Sequence, residues 1–140
     1  MVQIMQALVT TDVVDVERLS QLIHDESCGA VVTFSGEVRN HDAQRQVASL
    51  TYEIHPTAQE QLLIITQSIV ERFDVEKVAL AHRYGLVPIG ETAFAVAVSA
   101  HHRASAFDAC SALVDEVKAR LPIWKHQVFT DGSDEWVNTA

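Results

Sequence analysis

Two lysines bracket the string Lys118-Ala-Arg-Leu-Pro-Ile-Trp-Lys125. A lysine is a nucleophile only as the free amine, and a second ammonium group nearby lowers its pKa and enlarges that free fraction near neutral pH. Pro122 cannot continue a helix, so it can fold Lys125, at the start of a returning strand, back toward Lys118 on the last helical turn. The same string also suits a plain helix end. Lys118 and Arg120 would complement the negative end of the helix dipole, and Trp124 would fill the core. The residues fit an activated lysine without requiring one.

Two further groups suit an anion. His101-His102-Arg103 falls where a strand passes into a long helix, and the free N–H groups of a helix start, with a His and an Arg beside them, can hold a phosphate. Alternatively His102 only caps the helix and Arg103 is solvated. In Gly36-Glu37-Val38-Arg39-Asn40-His41 an arginine leaves a strand for a polar loop, from which it can grip a phosphate bidentately or simply stay exposed. Adjacent histidines rarely share one metal, and no His or carboxylate follows at helical spacing, so no metal site is expected. Cys28 and Cys110 lack any paired spacing and read as reduced packing residues. His55 and His82 read as structural, Ser99 and Ser105 have no base and orienting partner, and no glycine-rich phosphate loop occurs.

The formal charge of −9 argues against general binding to nucleic acid or an anionic membrane. The exception is local: Lys77, Arg83, Arg103, Lys118, Arg120 and Lys125, with four histidines, fall between residues 77 and 126 against only Glu91, Asp108, Asp115 and Glu116. A small anion could find a basic pocket there. At 140 residues and 48% apolar the chain is expected to be one globular domain, 1–140. With no span of the ~20 apolar residues a bilayer demands and no leader pattern, it is expected to be cytoplasmic.

Periodicity supplies the elements that must position these groups. Val2 to Val9 reads as a strand, and Asp12 as the N-cap of a helix over 13–24 with Val13, Val16, Leu19, Leu22 and Ile23 on its apolar face. Ala30 to Val38 is a buried strand and Arg39 to Gln46 a loop. Ala48 to His55 alternates as a strand, and Pro56 opens a helix to about Phe73. Val78 to Tyr84 and Thr92 to Ala100 form a hairpin across the Gly85–Gly90 turn. A helix from Arg103 to Leu121, with Phe107, Cys110, Leu113, Val114 and Val117 facing inward, ends at Pro122. Ile123 to Phe129 is a last strand, followed by an Asp131-Gly132 turn. The order β-α-β-β-α-β-β-α-β predicts an α+β domain with about three helices on a largely antiparallel sheet.

The strings GAVVTFSGEVRNHD (29–42), LTYEIHP (50–56), AHRYGLVPIGE (81–91), VSAHHRASAFDAC (98–110) and KARLPIWKHQ (118–127) resemble, in order and over nearly the whole chain, the large catalytic subunit of molybdopterin synthase. The resemblance implies the α/β-hammerhead fold and a sulfurtransferase of molybdenum-cofactor synthesis. Such an enzyme places two sulfur atoms on cyclic pyranopterin monophosphate to make the dithiolene of molybdopterin. It implies a small ubiquitin-like partner whose C-terminal Gly-Gly thiocarboxylate brings the sulfur, and a homodimer within a heterotetramer, with no cofactor. By motif position, Lys118 and Lys125 match the functional lysines. Arg39, His102 and Arg103 match the pterin-phosphate site, while Glu37, Val38, His126 and Gln127 fall on pocket segments. The competing readings are a non-catalytic anion- or partner-binding module of the same fold and an unrelated Schiff-base lysine enzyme.

Overall fold

The computed structural model describes residues 2–140, in which the chain runs β1 (Gln3–Thr10), α1 (Val16–Leu22), β2 (Ala30–Glu37), β3 (His41–Asp42), β4 (Arg45–Ile54), α2 (Ala58–Val70), β5 (Lys77–Arg83), β6 (Gly85–Leu86), β7 (Thr92–Ala100), α3 (Arg103–Arg120), β8 (Ile123–Phe129) and β9 (Asp134–Val137). The first sheet has the order β1-β5-β7-β2. Its centre, β7, has eight of nine residues buried, because helices cover both faces. Small side chains point to one face, where Ala79, Ala81, Ala95 and Ala97 leave room for Leu19 and Ile23 beside the short α1. Larger ones point to the other, where Val78, Leu80, Val96 and Val98 meet Leu62, Ile65 and Ile69 of α2 and Leu113 and Val117 of α3. Such a strand, buried on both sides, reads as a continuous apolar run rather than an alternating one.

The second sheet has the order β3-β4-β8-β9, with β6 added on β4. Its strands pair antiparallel, as do β2–β7 and β5–β7, while β1–β5 is parallel. The α+β class with three helices therefore stands, as two sheets rather than one. The division occurs at Gly85, whose φ of +84° turns the chain out of the β5–β7 hairpin so that Gly85 and Leu86 pair with Tyr52 and Thr51.

Several expected boundaries move. Asp15, not Asp12, caps α1 by accepting from the Glu17 N–H at 3.0 Å, and Val13 is exposed instead of lining the helix. Pro56 lies in the turn before Thr57, the N-cap of α2, rather than in its first turn. Phe107 is 59% exposed, and Ala106 and Ala109 fill the inner face of α3 in its place. The polar segment 39–46 is not simply a loop. His41–Asp42 pairs with Arg45–Gln46 about Ala43 and Gln44, both with positive φ, the geometry of a two-residue hairpin turn. No helix among the described residues is long and apolar enough to cross a membrane.

Candidate active site

The end of α3 dictates the site. The Leu121 N–H closes the last turn onto the Val117 carbonyl, Pro122 stops the helix, and β8 begins at once at Ile123. Lys118 and Lys125 consequently line the same pocket, a cavity of about 170 Å³ where the two sheets meet. Lys118 is exposed over part of its side chain, and its ammonium end donates to the main-chain oxygen of Ala140 at 3.2 Å. Its pKa is lowered, first by burial of that end and second by the charge of Lys125. Mutual repulsion of the lysines thus operates, with desolvation as the larger cause.

The rim opposite comes from the end of β2. Val38 is buried and tied by two main-chain bonds, its N–H to the Glu91 carbonyl at 3.0 Å and the Gly90 N–H to its own carbonyl at 2.8 Å. Arg39 therefore leaves a fixed point, and its side chain stays 68% exposed, with Asp42 at 3.9 Å as a loose counter-ion. Glu37 lines the pocket and accepts from the Ser35 hydroxyl at 3.3 Å. Arg39, Lys118 and Lys125 against Glu37 give a cavity suited to an anion, with an amine inside it that loses its proton more readily than a free lysine.

The structure separates other expected site residues from this pocket. His102 and Arg103 are exposed at the opposite end of α3. Arg103 and Lys118 are fifteen positions apart on the helix, about 22 Å along the axis. His126 alternates to the other face of β8 from Lys125, stacks on Trp136 with centroids 4.2 Å apart and meets Asp134 at 2.9 Å. Gln127 returns to the pocket face and is buried. Among the described residues no group of three or more His, Cys, Asp or Glu could hold a metal ion.

Sequence reasoning missed Tyr52, Phe94 and Ala140 in the lining, which also includes His41 of the Gly36–His41 string. Tyr52 was recoverable from the alternation of β4, since it pairs directly with Lys125. Behind these walls His82 is fully buried, its ring stacked on Phe94 and edge-on to Tyr52. Its Nδ1 lies 2.8 Å from the Arg83 carbonyl, which can only accept, so Nδ1 carries the proton and Nε2 is left without a partner. Burial, with the nearby charge of Lys118, pulls its pKa down to about 4.

Residues 9–120 match the family described as MoaE protein. A molybdopterin synthase catalytic subunit of Arabidopsis thaliana is 42% identical over 85% of this chain and 61% of its own length. The chain spans 61–68% of the length of the curated plant and mammalian relatives. The crystal structure of molybdopterin synthase from Staphylococcus aureus superposes with a TM-score of 0.84 at 29% identity, covering 92% of this chain and 94% of that one. A chain of the complex of subunits 1 and 2 of molybdopterin-converting factor from Helicobacter pylori, 20% identical with a TM-score of 0.68 over 98% of this chain and 88% of that one, shares the fold. With the match extending over most of its residues, the chain belongs to the MoaE protein family.

Proposed function

We propose that this chain is the catalytic subunit of a molybdopterin synthase, moving sulfur from the C-terminal thiocarboxylate of a small ubiquitin-like subunit to cyclic pyranopterin monophosphate in the cytoplasm. The observation that carries the reading is the meeting of Lys118, Lys125 and Arg39 in one pocket of a MoaE-family chain. Lys118 takes the role nearest the thiocarboxylate. Its present bond to the main-chain oxygen of Ala140 is the kind of contact an incoming Gly-Gly tail offers. Lys125 holds anionic substrate or supplies a proton, and Arg39 receives the phosphate. Val38 and Gln127 close the pterin side, with Glu37 at the rim.

His102 and Arg103 can join the same phosphate only from a second copy, which fits a homodimer carrying one small subunit at each end. β2 is an edge strand, with Val31 50% exposed. Its first residue pairs with Ala100, immediately before the His101-His102-Arg103 string. Antiparallel pairing of two β2 edges, centred on the strand, would carry one copy's Arg103 toward the other's Arg39. His126, stacked on Trp136 outside the pocket, supports β9 rather than touching substrate.

The deciding experiment mixes the purified chain with a thiocarboxylated small subunit and cyclic pyranopterin monophosphate and assays molybdopterin. Binding of both without product would favour the non-catalytic module.

A further inference from the structure

Arg39, Lys118 and Lys125 offer the pocket only hydrogen-bond donors, and with the Glu37 carboxylate exposed at the rim these three alone would take almost any small anion. Gln127 changes that. Its side-chain nitrogen donates to Asp42 Oδ2 at 2.8 Å and to Glu135 Oε1 at 3.4 Å. Ionised carboxylates only accept, so the amide nitrogen must face them, and the orientation of the group follows from chemistry rather than from atom labels. Both N–H groups are thereby engaged. Oε1 is turned away from the carboxylates and receives no hydrogen bond from any described residue, although the residue is buried and lines the cavity.

The clamp is itself braced. Glu135 is the cross-strand partner of Gln127 and is held by Arg45 at 3.1 Å, whose guanidinium lies 3.7 Å above the Phe129 ring. Asp42 is carried to the Gln127 side chain by the β3–β4 hairpin. Its carboxyl is held below the ordinary aspartate value, chiefly by the Gln127 bond and further by Lys125, Arg39 and Arg45, so it stays an acceptor at working pH.

We propose that Asp42 and Glu135 are positioning residues that lock the Gln127 amide so that its Oε1 faces the cavity as a fixed acceptor, making Gln127 the selector for ligands that carry an N–H donor beside their anionic group. Under the functional reading above, on which this step rests, the donor is the amide and amino N–H edge of the reduced pterin. An acceptor facing the cavity is hydrated while the pocket is empty, so an anion that displaces that water without bringing a donor leaves Oε1 unpaired and is discriminated against even though the cations would hold it.

Two measurements test this. Recorded without ligand, the two side-chain N–H resonances of Gln127 should be slow to exchange in the native chain and fast in Asp42→Ala; identical spectra overturn the clamp. In titrations, Gln127→Leu should weaken cyclic pyranopterin monophosphate about tenfold, the value of one hydrogen bond, while inorganic phosphate binds within twofold of native. Gln127→Glu should also bind the pterin poorly, since it opposes Asp42 with a second carboxylate. Adding Asp42→Asn supplies that carboxylate with a donor and should recover most of the loss. Native pterin affinity in Gln127→Leu, equal losses for pterin and phosphate, or no recovery in the double variant each overturn the selector. If Gln127→Leu does not fold, Asp42→Ala carries the same comparison. A native chain that binds no pterin overturns the functional reading and the pterin assignment together, whereas the resonances judge the clamp alone.

Discussion

The Lys118 ammonium group reaches 3.2 Å from the main-chain oxygen of Ala140, so a pocket amine with a lowered pKa already rests against a main-chain acceptor. Because burial is the first cause of the lowered value, a neutral group that fills the pocket and excludes water should lower it further, whereas the negative charge of an anionic ligand would oppose that shift. An extended peptide tail entering here would displace Ala140 and leave Lys118 against a new carbonyl.

Lys118→Arg separates charge from proton chemistry at this position. Arginine keeps the positive charge but neither gives up its proton nor acts as a nucleophile at working pH. We expect turnover to fall about a hundredfold or more, with circular dichroism and small-subunit binding unchanged. Near-normal product formation would mean that position 118 supplies charge alone.

Lys125→Arg should be milder, with a loss of less than about tenfold that appears mainly in KM, because arginine preserves the electrostatic hold on an anion. Steady-state kinetics on both variants side by side decide it. A loss in Lys125→Arg as deep as in Lys118→Arg would move the proton chemistry to Lys125 or divide it between them.

The pair was legible in the sequence because Pro122 forces the chain to reverse within three residues, a local constraint that needs no knowledge of the tertiary fold. The strands and helices around it followed from periodicity, β7 and β8 to the residue. What escaped was decided non-locally. The β3–β4 turn uses Ala43 and Gln44 with positive φ, without the Asn-Gly signal that would have announced a hairpin. β6 and β9 are short and owe their strand form to partners on β4 and β8. Phe107 satisfies the helical apolar period yet faces outward, since period alone does not say which flank of a stripe meets the sheet. The distance from Arg103 to the pocket was invisible as well, because a shared motif does not report how far apart its residues sit in the folded chain.

That distance gives a complementation test. Arg39→Ala should weaken pterin binding roughly ten- to a hundredfold, the value of a charge-assisted hydrogen bond. Arg103→Ala should do the same if a second copy completes the site. Chains carrying Lys118→Ala and chains carrying Arg103→Ala, each feeble alone, should regain activity when co-refolded, since a mixed dimer keeps one site with both residues native. No recovery in a mixture shown by mass spectrometry to contain mixed dimers would place Arg103 outside the site.

The last prediction concerns His82 and pH. Its folded pKa of about 4 lies below the ordinary 6.5, so the unfolded chain binds the proton more readily and stability falls as pH drops. The contribution is intact above about pH 6.5, declines as pH falls, and levels off below about 4. From the gap between those values the loss is about 2 kcal/mol by pH 5 and about 3 kcal/mol near pH 4. The aspartates with lowered values act in a different window. Asp25, brought to about 2 chiefly by its bonds from Ser27, and Asp131, lowered by Ser133, contribute stability that is present above about 4 and is lost only as pH falls further. Urea unfolding between pH 7 and 5 therefore isolates the histidine. His82→Phe should lower stability at pH 7 by about 1 kcal/mol through the lost bond to the Arg83 carbonyl, yet show a much flatter dependence between pH 7 and 5. Should the variant retain the native slope, the titrating group would lie elsewhere and His82 would not be the buried neutral imidazole behind Tyr52 and Phe94.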